Sequence, residues 1–292
     1  MLTRNKKINI SIATAPDGGP LTYSRLLQEK LPAHGFEVKI FNFGKVLHLP
    51  KGISHLVFFL KIFKNAFWTD IFYAQDPVST GLPMMLAAKL SGKKFFLKIV
   101  GDYAWEQGSQ RSGVKDLLDS FSEEFEKYSF FVRFLKRVQR SVALSADIVI
   151  VPSEYLKVIV SNWGIPKEKI TLVYNAFDEP HVYGTKEEIQ KELGMSGKII
   201  VSPGRLVPWK GFDTVIMCMP KILEKHPDTM LYVIGEGPDK MYLLDKIKEC
   251  KVEENVVLAG HVAHSDMLRH LKAADLFVLN TSYEGFSHLI LE

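Results

Sequence analysis

Two carboxylates close this sequence, Glu284 and Glu292, with seven residues between them. Glu284 follows the apolar run Leu276 to Leu279 and is followed at once by Gly285 and Phe286. A carboxylate at the turn leaving a buried strand is placed to meet a ligand, because open α/β sheets bind ligands at strand carboxyl ends. Gly285 and Phe286 can turn backbone N–H groups toward an anion, and Glu284 can accept from sugar hydroxyls. If a helix follows, Glu292 lies two turns on and on the same face, where it can accept from a ribose diol. Two surface glutamates would show the same interval, so the spacing needs support from elsewhere. No residues remain after Glu292 to bury such a helix, and the sequence reads as cut short there.

A second string gives that support. Gly204-Arg205-Leu206-Val207-Pro208-Trp209-Lys210-Gly211 follows an apolar run and precedes a helical one. Arg205 and Lys210 bring two cations to one glycine-bounded loop. A guanidinium holds phosphate oxygens in a bidentate fork, and an ammonium acts as a compact charge. Such a pair suits a diphosphate whose charge grows as its bond to a sugar breaks. The third string is Asp17-Gly18-Gly19-Pro20, after the first apolar run. Two glycines let the backbone approach a ligand, and Pro20 fits the first position of a helix. An ordinary strand-to-helix turn would read the same way.

The elements that must position these residues alternate strand and helix. Extended runs are expected at Ile8–Ala13, Glu37–Phe43, Asp70–Ala74, Lys94–Val100, Asp147–Val151 and Ile170–Tyr174. Helical spacing is expected over Leu21–Leu31, Lys51–Trp68, a long charged segment at about 114–144, and Ser153–Trp163. After an irregular patch at Asp178–Gly184 the order resumes. Strands are expected at Lys198–Ser202, Met230–Ile234, Asn255–Leu258 and Asp275–Leu279, with helices at Phe212–Lys225, Lys240–Lys248 and Ser265–Ala273. This order predicts an α/β fold of two tandem Rossmann-like domains with parallel sheets, 1–178 and 179–292, the second incomplete.

Taken together, the three strings resemble the retaining nucleotide-sugar glycosyltransferases of family 4, which have the two-domain GT-B fold. That family carries a glycine-rich loop after the first strand, a G-R-x-x-x-x-K-G loop, and an E-G-F box opening an E-x7-E pair. Val151-Pro152-Ser153-Glu154, Val173-Tyr174-Asn175-Ala176, Gly235-Glu236-Gly237-Pro238 and Gly260-His261-Val262 also look familial. The resemblance implies two domains facing across a cleft, the first on the acceptor side and the second binding the donor. It implies that Gly204, Arg205 and Lys210 bind the donor diphosphate, with Gly237 and Val262 lining the donor site. Glu284 contacts the donor sugar, Gly285 and Phe286 lend backbone amides, Glu292 holds the ribose, and Gly18 and Gly19 face the diphosphate from the other domain. Many members place a histidine after the strand that here is Lys94–Val100; this chain has Gly101-Asp102-Tyr103-Ala104-Trp105-Glu106 instead. Asp102 is expected to orient an acceptor hydroxyl or steady charge on the sugar ring, although a helix N-cap would use the same residue. Glu106 stands open between a role in the site and none.

The implied chemistry is same-face attack at the anomeric carbon, with the departing phosphate taking the acceptor proton. No cofactor or metal is expected. The sequence contains no D-x-D or H-E-x-x-H string, and His261 and His264 bring no third ligand. Expected partners are a nucleotide-sugar donor and a sugar, glycan or lipid-linked acceptor; nucleic acid is not expected. A polysaccharide synthase, an epimerase of the same fold, or a non-catalytic nucleotide-sugar binder are the alternative readings.

Composition is that of a globular chain, 47% hydrophobic and 24% charged, which argues against disorder. No uninterrupted apolar run reaches the length of a membrane span. Cys218 and Cys250 have no metal or redox spacing and fit a reducing cytosol. The net charge of +4 conceals an asymmetry: residues 1–178 hold 24 Lys/Arg against 16 Asp/Glu, and the remainder 13 against 17. The basic half suggests an anionic acceptor or membrane surface, or simply solubility. Within it, 51–68 is aromatic, apolar and dotted with lysines. It reads either as an interfacial helix or, preferably, as a helix packing Phe58, Phe59 and Phe63 on the sheet with Lys61 and Lys64 in solvent.

Overall fold

The computed structural model describes residues 7–16, 18–50, 52–176 and 181–292; Asp17, Lys51 and the segment 177–180 lie outside it. The chain divides into two compact units, Met1–Asn175 and Ala176–Glu292. The expected division at 178/179 falls among residues outside the description.

The first unit runs β1 (Ile8–Thr14), α1 (Gly18–Lys30), β2 (Phe36–Asn42), α2 (Ile53–Phe63), β3 (Ile71–Ala74), α3 (Gly81–Ser91) and β4 (Lys94–Lys98). It continues with α4 (Tyr103–Arg111), α5 (Leu118–Glu123), α6 (Phe130–Ser145), β5 (Ile148–Val151), α7 (Glu154–Asn162) and β6 (Ile170–Leu172). All six strands are parallel, in the order β2-β1-β3-β4-β5-β6. The order reverses between β1 and β3, because β1 connects one way to β2 and all later strands lie on the other side. Ile12, Phe72, Leu97 and Val149 are fully buried along these strands, as a sheet covered by helices requires.

The second unit runs α8 (Lys186–Glu192), β7 (Lys198–Pro203), α9 (Phe212–Leu223), β8 (Thr229–Ile234), α10 (Lys240–Glu249), β9 (Val256–Gly260), α11 (His264–Ala273), β10 (Leu276–Phe277) and α12 (His288–Leu291). Its four parallel strands are ordered β10-β7-β8-β9, so the reversal lies between β7 and β10. β7 shows why both faces are apolar. Ile200 joins a core with Ile216, Met219 and Leu231, while Ile199 and Val201 join Ile189 and Ala273 on the opposite face. Alternate side chains of a strand point to opposite faces, so a strand covered on both sides is apolar throughout.

Three expectations need correction. The long helix at 114–144 is two helices: Glu124 turns extended after α5, and Ser129 starts α6 by accepting from the Val132 N–H. α4 precedes them, and α8, for which no helix was expected, follows directly on the irregular patch, begun by a capping box between Thr185 and Glu188. In α2 the inward face is Ser54, Phe58 and Ile62, whereas Ile53, Leu56, Leu60 and Phe63 are exposed, and Phe67 just beyond is fully so. Phe63 therefore does not pack on the sheet; it stacks on the half-buried Phe59, with ring centroids 5.5 Å apart.

Candidate functional site

In the second unit the reversal of strand order sets β7 beside β10, with Leu276 opposite Ile200 and Phe277 opposite Val201. The segments leaving their carboxyl ends must then lie side by side. One is Gly204–Gly211 and the other is 278–287. They are strapped together at several points. The Trp209 carbonyl accepts from the Ser282 N–H at 2.9 Å and from the Thr281 hydroxyl at 3.1 Å, and the Gly211 carbonyl accepts from Asn280 Nδ2 at 3.2 Å. The contact is close enough to dictate sequence. Gly211 has φ +60°, and a Cβ there would stand 2.4 Å from the Asn280 carbonyl oxygen.

The strapping brings Lys210 to Glu284. Lys210 Nζ donates to both carboxylate oxygens, at 3.0 and 2.7 Å, with the two side chains only 12% and 25% exposed. An ammonium has three protons, so the pair leaves Lys210 at least one N–H for a further acceptor. Arg205 is exposed on the same loop and has no ion pair among the described residues. The loop after β8 completes the edge. Gly204 donates to Ile234 at 2.8 Å, Leu206 to Glu236 at 3.0 Å, and Asp239 to Leu206 at 3.2 Å. Gly237 is wedged here: a Cβ would lie 2.1 Å from the Leu206 carbonyl oxygen. Gly285 and Phe286 follow Glu284 directly in the same segment and are half-buried.

Glu292 is placed differently from the expectation. It does not share a helix with Glu284, because 282–287 is non-helical and α12 starts only at His288. Its carboxylate faces His264 Nε2 at 3.3 Å, at the start of α11 and two residues after Val262. Its Oε2 is buried without a hydrogen-bond partner among the described residues, and burial pushes its pKa up. Glu292 also lines a cavity of about 470 Å³ with Leu268, Leu271 and Lys272 of α11 and its flank. The two glutamates thus serve separate neighbourhoods, Glu284 beside Lys210 and Glu292 beside the Gly260–Val262 turn.

In the first unit Gly18 and Gly19 open α1 and are exposed, Gly18 with φ +71°. Asp102 needs revision. It is fully buried and caps α4, accepting from the Trp105 N–H at 2.9 Å and from Gln139 Nε2 at 3.0 Å, while its other oxygen accepts from Trp163 Nε1 at 3.1 Å. Burial raises its pKa against these hydrogen bonds. Both oxygens are engaged and none of its surface is open, so its geometry is that of a buried cap joining α4, α6 and the end of α7. The sequence reading passed over Lys98, which closes β4 with 1% exposure. The signal was available: a lysine inside the apolar run Phe95-Phe96-Leu97-Lys98-Ile99-Val100.

Two doubly wound parallel sheets in tandem are the architecture of the GT-B fold. The chain is similar to HepE from Anabaena, solved in complex with UDP and glucose, with a TM-score of 0.70 at 17% identity over 98% of this chain and 77% of that one. Residues 3–179 match the model of Glycosyltransferase Family 4, and residues 185–292 that of Glycosyl transferases group 1. The chain belongs to glycosyltransferase family 4.

Among its relatives is mannosylfructose-phosphate synthase of Agrobacterium fabrum, 27% identical over 64% of this chain. Another is the N-acetylgalactosamine-N,N'-diacetylbacillosaminyl-diphospho-undecaprenol 4-alpha-N-acetylgalactosaminyltransferase of Campylobacter jejuni, 28% identical over 50% of this chain. The chain spans 43% and 38% of the lengths of these two proteins.

Proposed function

We propose that this protein moves a sugar from a nucleoside-diphosphate sugar to a hydroxyl acceptor with retention of anomeric configuration, in the making of a surface polysaccharide or glycolipid. The observation that carries this reading is the Lys210–Glu284 pair beside Arg205 at the strand reversal of the second unit. Arg205 and the remaining N–H of Lys210 take the diphosphate, Gly204 and Gly237 let it approach the backbone, and Gly285 and Phe286 add backbone N–H groups. Glu284 holds Lys210 and accepts from the sugar's hydroxyls. Glu292 takes the ribose and Val262 flanks the base. As the bond from the anomeric carbon to phosphate oxygen breaks, the acceptor oxygen bonds to the same face and its proton passes to the departing phosphate. The chemistry needs charge stabilisation and positioning from the protein, and no metal. Asp102 acts in this reading as a positioning residue, holding the start of α4 rather than touching an acceptor.

The acceptor is a sugar, a glycan or a lipid-linked glycan on the cytoplasmic face of a membrane. The α2 surface supports the membrane part. Ile53, Leu56, Leu60, Phe63 and Phe67 are all exposed, as are Leu86 and Leu90 of α3, the helix that packs against α2. The stretch 43–68 carries four lysines and no acidic residue, which complements an anionic bilayer. Among the described residues no helix is long and apolar enough to cross a membrane.

The test is incubation with UDP- and GDP-sugars and a panel of glycan and lipid-linked acceptors, with the product's anomeric configuration read by NMR. Transfer with retention is expected. Donor that is only epimerised, or bound and recovered intact with every acceptor, would sink the transferase reading.

A further inference from the structure

The first unit holds a cavity of about 510 Å³ between α6, the turn from α5 to α6, and the end of α7. That is the size of a small-molecule site, roughly 300–1,000 Å³. Chain connections fix its position. A helix joining parallel strands runs back against them, so α7 ends toward the edge where the strands begin. Lys169, directly before β6, bears this out. Its Nζ donates at 2.8 Å to the carbonyl of Leu144, which lines the cavity. Ligands of open α/β sheets ordinarily sit at the opposite, carboxyl edge.

Two arginines of α6 give the cavity its chemistry. Arg137 and Arg140 are three apart and share one helix face. Both are exposed, and each is held by something other than a carboxylate. The Arg137 guanidinium lies 5.2 Å from the centroid of the Phe125 ring, another part of the lining. Arg140 Nε donates to the Trp163 carbonyl at 2.7 Å, and its guanidinium packs over Gly164, where a Cβ would stand 3.2 Å from Nη2. Buried Lys136 donates to the carbonyls of Phe121 and Glu124, which pins the α5–α6 turn to α6. Glu123 and Glu124 also border the cavity; both are exposed, and Glu124 pairs with Lys127 at 3.7 Å. No carboxylate pairs with Arg137 or Arg140 among the described residues. Two fixed guanidiniums with spare N–H groups beside aromatic rings suit a doubly charged phosphate that carries an organic body.

We propose that this cavity is a second ligand site, which takes a phosphate monoester on Arg137 and Arg140 and is linked to α4. The link is short. Gln139 and Trp163 line the cavity and donate to the two oxygens of Asp102, at 3.0 and 3.1 Å. Gln139 also accepts from the Ala104 N–H at 3.0 Å. A ligand seated against these two side chains bears on the start of α4 through one hydrogen bond each. The site is independent of the donor loop and of the transferase reading.

The experiment follows the indole N–H resonances of Trp68, Trp105, Trp163 and Trp209 by NMR in the full chain with isotope-labelled tryptophan. The probes are glucose 6-phosphate, monomeric short-chain phosphatidic acid and inorganic phosphate, at about pH 7.5, where a phosphate monoester is close to doubly charged. At least one monoester is expected to shift Trp163 in a saturable way and to leave Trp209, beside Lys210, unmoved. Arg137→Gln should weaken that binding by roughly tenfold or more, the scale of a lost charged hydrogen bond. Arg137 is exposed, so this variant should keep the parent's unfolding midpoint. The tighter of the two monoesters tells whether the phosphate comes from a soluble metabolite or from a lipid. Inorganic phosphate binding as tightly as both would overturn the site for an organic ligand. Monoesters that shift Trp209 alone, that leave Trp163 unmoved, or that bind Arg137→Gln as tightly as the parent would overturn the proposal altogether. UDP should shift Trp209 and not Trp163; UDP that shifts neither counts against the donor reading and leaves this site untouched.

Discussion

Lys210 and Glu284 lie 74 residues apart, yet each satisfies the other's charge in a partly dry setting. Removing either leaves an unpaired charge, which in the proposed reaction falls where diphosphate charge develops. Lys210→Ala and Glu284→Ala should each lower turnover by about 100-fold or more, the scale of losing one preorganised donor at a developing anion. Steady-state kinetics with the donor varied checks this. Arg205 is exposed, so Arg205→Ala should act mainly on donor KM, by roughly tenfold. Asp102 belongs to stability. Asp102→Ala removes an N-cap and orphans the Trp163 indole N–H and the Gln139 amide. It should cost about 2–4 kcal/mol in urea unfolding, combining a cap loss with a buried unsatisfied donor. Lys98 gives a pH signature. Its folded pKa of about 7 lies below the ordinary 10.5, so its contribution to stability is full above the higher value and is lost as pH falls toward the lower. Lys98→Met lacks that dependence. Its stability relative to the parent should rise from about pH 9.5 to about pH 6.5, as read by denaturant midpoints.

At the scale of elements, α2 is apolar on two sides for two reasons. Ser54, Phe58 and Ile62 face inward, while Ile53, Leu56, Leu60 and Phe63 repeat at the same helical spacing on the other side. Helical periodicity alone could not tell these stripes apart, because both are apolar and the lysines fall between them. The preferred sequence reading assigned Phe63 inward for that reason. If the outer stripe meets a bilayer, the chain should float with vesicles containing anionic lipid and much less with zwitterionic ones. Leu60→Asp with Phe67→Asp should abolish flotation while leaving the unfolding midpoint near the parent's, since both side chains are exposed. Equal flotation of that variant would remove α2 from membrane contact. The break between α5 and α6 was equally hidden, because a capping serine within a charged helical stretch looks like any surface serine until the chain turns extended before it.

For the whole molecule, two parallel sheets each reverse strand order once, between β1 and β3 and between β7 and β10. Each reversal opens a place at the carboxyl edge where two loops diverge. The residues argued to act on the donor sit at the second of these places. In the proposed reaction, turnover relies on lysine and arginine charge and on no metal ion. Chelation with EDTA should therefore leave the transfer rate unchanged, measured against untreated protein with the same donor and acceptor. A fall that added divalent metal restores would overturn the metal-independent reading.

The sequence by itself determined the alternation of strands and helices, the two-unit architecture, and the loop strings around Arg205, Lys210 and Glu284. Those signals are local: apolar period, glycine beside cation, carboxylate after a buried strand. Only the tertiary structure decided which of these residues meet. Strand order put Lys210 against Glu284 and carried Glu292 away to His264, because β10 pairs with β7 while α11 follows β9. It turned Asp102 into a buried cap through Gln139 and Trp163, residues remote in sequence. It also buried Lys98 at the end of β4 against Asn175, 77 residues away. Parallel pairing sets register across chain separations that no sequence window spans, and such contacts exist only once the sheet has formed.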